Sequence, residues 1–160
     1  MKVIGLLAVV ALLAAALPLE AKAQTVNEVV YTVCSEGCDH TTIQDAVLAV
    51  RALPDPGTPT TYRINVGAGI YDTDSTIDIV QQNNKNIILA GESKQLVTIK
   101  DQIRIDGNTR WNAAETVTIQ GFTFDFSALS GDIITTFRIV STGNVYAHNI
   151  TVKDCKFLAN

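Results

Sequence analysis

The sequence predicts an all-β protein, a right-handed parallel β-helix (a solenoid of about three to four coils) with an N-terminal capping α-helix. Three observations lead there. Short β-rich runs with apolar outer positions recur along the chain, they recur at near-regular spacing, and one amphipathic helix precedes the first of them. A β-sandwich would also use many short strands, but it needs hairpin turns between neighbours. Asp106-Gly107 is the one hairpin-like dipeptide, and it lies in a long connection.

The first element is set aside from the fold. Lys2 gives a charged start, Val3 to Leu17 is an unbroken apolar run, and Ala21, Lys22 and Ala23 bring small residues before Gln24. Residues 1–23 therefore read as a signal peptide. The apolar run falls short of the ~20 residues a bilayer-crossing helix needs, and Pro18 closes it. No cysteine marks a lipidation site there, and no second long apolar segment follows. The expected product is secreted or held at the cell surface, with no membrane contact after cleavage. Signal removal takes two lysines and one glutamate, moving the net charge from −4 to −5. An acidic surface repels phosphate backbones, so nucleic acid is excluded as a partner.

Residues 24–41 read as an N-terminal segment with a local disulfide. Export places Cys34 and Cys38 in an oxidising setting, where they can bridge across a turn opened by Gly37. Their spacing is not that of a Cys-x-x-Cys metal motif and no second pair completes four ligands, so neither metal nor other cofactor is expected. Cys155 is left over and reads as a buried apolar thiol.

Residues 42–160 hold the capping helix and the start of the solenoid. Thr41 to Gln44 has capping-box spacing, and Ile43, Ala46, Val47 and Val50 then share one helical face, which Pro54 ends. After the turn-rich stretch 55–59, two strand series interleave. Ile64-Asn65-Val66, Ile87-Ile88-Leu89, Val117-Thr118-Ile119 and Ile150-Thr151-Val152 begin 23, 30 and 33 residues apart. Ile77-Asp78-Ile79, Ile103-Arg104-Ile105 and Phe137-Arg138-Ile139 begin 26 and 34 apart. Alternation sends the flanking residues inward and the central one outward, with rungs stacked ~4.8 Å apart. Ile64, Ile87, Val117 and Ile150 are expected to form one inner column, and Val66, Leu89, Ile119 and Val152 the next. Phe122 aligns with Cys155 and Phe124 with Phe157. No cap follows Phe157, so the solenoid reads as truncated at its C-terminus and open to self-association by parallel strand addition. Light scattering from a stable monomer at high concentration would count against that expectation.

Thr42-Ile43-Gln44-Asp45-Ala46-Val47, followed by Tyr62-Arg63-Ile64-Asn65-Val66-Gly67-Ala68-Gly69-Ile70-Tyr71, resembles the opening of pectin lyase-like β-helix proteins, closest to the N-terminal part of pectinesterases. Asn86 to Glu92 resembles that family's second coil, Thr116 to Phe124 its third, and Asp154-Cys155-Lys156-Phe157 the segment before its catalytic region. The resemblance implies the superfamily fold. It carries over no catalytic residue. Thr73 stands where pectinesterases usually have an acidic residue, and Ile133 where they have a glutamine that helps hold the oxyanion. Their acid, their nucleophile and their substrate arginine fall beyond Asn160.

Candidate contacts come from the strand centres instead. Asp78, Arg104 and Arg138 would stack on the exterior, and planar guanidiniums on adjacent rungs suit a uronate carboxylate. The plainer alternative is a solvated ladder in which Asp78 pairs with Arg104. Trp111 could stack on a sugar ring or simply cover a core edge. Asp101, Asp106, Asp125, Asp132 and Asp154 show no pattern of a tuned catalytic pair. The expected function is a secreted or cell-surface β-helix that contacts polysaccharide or another envelope component, without chemistry of its own. The alternative is the N-terminal fragment of a carbohydrate-active enzyme, a pectinesterase or polysaccharide lyase.

Overall fold

A computed structural model of the protein describes residues 27–73, 75–107, 115–127, 137–140 and 149–158. The signal segment, residues 1–23, lies outside them. Twelve strands and one helix are described: β1 (Asn27–Val33), α1 (Ile43–Ala52), β2 (Thr60–Val66), β3 (Gly69–Tyr71), β4 (Thr76–Val80), β5 (Lys85–Gly91), β6 (Val97–Ile99), β7 (Gln102–Asp106), β8 (Val117–Gln120), β9 (Thr123–Asp125), β10 (Phe137–Val140), β11 (Ile150–Lys153) and β12 (Lys156–Leu158). They form three parallel sheets in the orders β1-β2-β5-β8-β11, β10-β7-β4 and β12-β9-β6-β3. Each sheet takes one strand per coil, which makes the molecule a β-solenoid of about four turns.

The core follows from two-residue alternation in very short strands. Ile77 and Ile79 in β4, Ile103 and Ile105 in β7, Val97 and Ile99 in β6, and Val117 and Ile119 in β8 are all buried. The residues between them stay partly or fully exposed. Phe122, Phe124 and Phe126 continue the inner column through β9. On the last described rung, Ile139, Val152 and Phe157 are 56 %, 38 % and 51 % exposed. Their partners one rung earlier, Ile105, Ile119 and Phe124, are fully buried. Cys155 packs against the core beside this rung, and burial pushes its thiol pKa up.

The register confirms both expected columns of the first sheet from β5 onward and corrects the β2 member of each, Ile64 in one and Val66 in the other. Ile87 and Leu89 lie opposite Val117 and Ile119, which in turn face Ile150 and Val152. Between β2 and β5, however, Ile87 pairs with Tyr62 and Leu89 with Ile64. Both strands have seven residues and lie flush, Thr60 on Lys85 and Val66 on Gly91. An even shift leaves every side chain on its own face, so apolar alternation alone does not distinguish the two registers. The segment 24–41 also holds more than the expected disulfide. Besides the Cys34–Cys38 bridge it contributes β1, a further rung paired along its whole length with β2.

Helix α1 packs its buried residues Ile43, Ala46, Val47 and Val50 toward β1, β2 and β4. Its N-cap is Thr42, whose Oγ1 accepts the Asp45 N–H at 3.0 Å. The expected capping-box partner Gln44 is used elsewhere: its Oε1 accepts the Asp78 N–H at 2.8 Å. Strand β4 is the edge of its sheet, so that contact satisfies a donor the ladder leaves open. The other end is held by Lys85, only 3 % exposed, whose ammonium donates to the carbonyls of Val50 (2.9 Å) and Leu53 (2.5 Å) and to Gln82 Oε1 (2.7 Å). A cation there complements the negative end of the helix. Burial pushes the Lys85 pKa down, with Asp55 opposing. Lys85→Met should leave those carbonyls unpaired and cost about 1–3 kcal/mol in equilibrium urea unfolding. An unchanged midpoint would mean the ammonium contributes nothing.

Candidate functional site

The sheet β10-β7-β4 carries the candidate column. Parallel pairing sets Asp78 opposite Arg104 and Arg104 opposite Arg138 on consecutive rungs, as the sequence spacing predicts. The neighbouring residues Ile77, Ile79, Ile103 and Ile105 point into the core, which sends Asp78 and Arg104 outward, and Arg138 shares that face through its register with Arg104. They line an open cleft of about 190 Å³ together with Thr76, Gln102 and the edge of Ile103.

Charge in the cleft is unevenly compensated. Arg104 Nε lies 3.0 Å from Asp78 Oδ1, and its Nη2 donates to Asp106 Oδ2 at 3.3 Å. Asp78 Oδ2 is also 3.7 Å from Nη1 of Arg51 on the last turn of α1. Asp78 Oδ1 is shielded from solvent and accepts no well-directed hydrogen bond, so its contact with Arg104 is a charge pair rather than a bonded fork. Arg51 and Arg104 are more than two-fifths exposed, and each such pair is worth about 0–1 kcal/mol. Arg138 makes no hydrogen bond or ion pair with any described residue.

The solvated-ladder alternative is thus correct for Asp78 and Arg104, which do pair, and does not extend to Arg138. The sequence does not single out Thr76, Gln102 or Asp106 as members of the column. Two-residue alternation could have found them, because each lies two positions from Asp78 or Arg104 on the same outward face. Arg51 carries no such signal, since its approach depends on how the helix docks. Trp111 lies outside the described residues, as do Asp132, Ile133 and His148.

Two other carboxylates among the described residues, Asp101 and Asp125, make local structural contacts. Asp101 is buried and holds the Thr73 backbone N–H (2.7 Å) and hydroxyl (3.0 Å), tying the strand exits of adjacent coils. Hydrogen bonds from Ser127 pull the Asp125 pKa down. The Tyr71 hydroxyl donates to the Gly67 carbonyl at 3.0 Å, and burial raises its pKa. Among the described residues no group of three or more His, Cys, Asp or Glu is placed to hold a metal ion. A second concavity of about 350 Å³ lies beside the disulfide, floored by Val66, Gly67, Ala90 and Gly91. Its one charged group, Glu92, already accepts the Ala68 N–H. The cleft over the arginines is therefore the better candidate for recognising a charged ligand.

No family model, curated protein or solved structure matches the chain. No helix among the described residues is long and apolar enough to cross a membrane.

Proposed function

We propose that the protein is an exported β-helix of the pectin lyase-like superfamily, right-handed and capped by α1, that binds acidic polysaccharide without transforming it. The stacked arginines on the exterior of β7 and β10 carry this reading. They present guanidiniums on neighbouring rungs of a rigid ladder, and planar guanidinium matches the geometry of a carboxylate. The resemblance of Thr42 to Phe157 to pectinesterase openings supports the superfamily. Residues 1–23 support export, and placement at the cell surface or in the medium follows from it. Contacts of α1 with the first coil support the capping role.

Retention on immobilised polygalacturonate is the test. The protein should bind, and the double variant Arg104→Ala/Arg138→Ala should be lost from the column at moderate salt. Equal retention of the two proteins would end the proposal. Release of methanol or unsaturated uronide by the purified chain would replace it with the enzymatic alternative.

A further inference from the structure

Resting on that reading, we infer that the cleft takes a single carboxylate at a time, anchored on Arg138, and that Asp78 and Asp106 hold Arg104 in reserve. Charge pairing carries the inference. Arg51 and Arg104 both approach Asp78, and Arg104 also donates to Asp106, so the carboxylates of the cleft are already facing cations. Arg138 is the cation left without a described partner, and it stands at the outer rung of the same cleft. One uncompensated positive charge matches a monoanion, whereas the second charge of a dianion would lose water without gaining a partner.

The polar lining fits a sugar acid better than a bare ion. Thr76 and Gln102 line the cleft with a hydroxyl and a side-chain amide, which together offer donors and acceptors to ring hydroxyls. Asp78 sits two rungs from Arg138, so a polyanion laid along the column would meet a carboxylate at its far end. Like charges repel there, and recognition is confined to one acidic residue of the polymer at each cleft.

Calorimetric titration with sodium glucuronate, inorganic sulfate and glucose tests the assignment. Glucuronate should bind, glucose should not, and sulfate should gain nothing from its second charge. Arg138→Ala should weaken glucuronate about tenfold, the scale of one charge-assisted contact, while Arg138→Lys keeps part of the affinity. Arg104→Ala should cost about threefold or less because that guanidinium is already engaged. Asp78→Asn should strengthen binding about threefold and bring sulfate in, since it frees Arg104. Equal losses at the two arginines, or no gain in Asp78→Asn, would overturn the inference. Retention on polygalacturonate that ignores Arg138 would sink it while leaving polysaccharide binding standing. Glucuronate binding through Arg138 without retention of the polymer would do the reverse.

Discussion

Phe124→Ala is expected to lower the unfolding free energy by about 3–5 kcal/mol, close to the whole stability of a marginal domain. The ring is fully buried at the meeting point of five phenylalanines. Its centroid lies 5.9 Å from Phe122, 6.0 Å from Phe126, 5.8 Å from Phe137 and 5.0 Å from Phe157. Strand β9 has three residues and contributes few backbone bonds of its own, so side-chain packing must hold it in the stack. The rings also join two sheets, because Phe137 belongs to β10 and Phe157 to β12. Removing the central ring leaves a void that rigid neighbouring ladders cannot close. Phe157→Ala provides the internal comparison. That ring is half exposed, and its loss should cost less than half as much in the same urea titration. Similar costs at the two positions would mean that Phe124 is not the centre of the core.

The legible part of this molecule is what period and spacing encode. Apolar residues at every second position specify which side chains enter the core, and repeat spacing specifies which rungs stack. The Asp78–Arg104–Arg138 column follows directly from those two rules. The β2–β5 pairing does not, since Tyr62, Ile64 and Val66 match Ile87 and Leu89 equally well after a two-residue slide. Strand length and the flush ends resolve it, and neither is written in the apolar pattern. β1 escapes the pattern because its Val29 and Val30 are adjacent and exposed, so they do not alternate. In the site, the pairing of Arg104 with Asp106 depends on side-chain conformations rather than topology. So does the approach of Arg51, which follows from a helix docked by Gln44 and Lys85.

Gly121→Ala is expected to be the most damaging change of a single methyl group, costing about 2–4 kcal/mol from two sources at once. Gly121 has φ +78°, a left-handed conformation that strains any residue with a Cβ. A Cβ at this position would also lie 2.6 Å from the carbonyl oxygen of Gly91, on the rung beneath. The two sources separate experimentally. Gly57 has φ +71° with nothing within 4 Å of where a methyl group would sit, so Gly57→Ala should show backbone strain alone, about 1 kcal/mol. Gly91 lacks a left-handed φ, but its Cβ would collide with the Gly121 backbone and lie 2.9 Å from the Phe122 ring. Gly91→Ala should therefore show overlap alone, about 1–3 kcal/mol. In the double variant Gly91→Ala/Gly121→Ala the costs should not add, because one backbone shift relieves or aggravates both contacts. These glycines form the corner where the chain leaves the first sheet for β6 and β9, and only hydrogen at Cα lets successive corners stack at rung spacing. Forcing the corners apart would displace Phe122 and, through its ring contact, Phe124. If Gly121→Ala cost no more than Gly57→Ala, the corners would not approach this closely in solution, and the stacking of the third and fourth rungs would need another explanation.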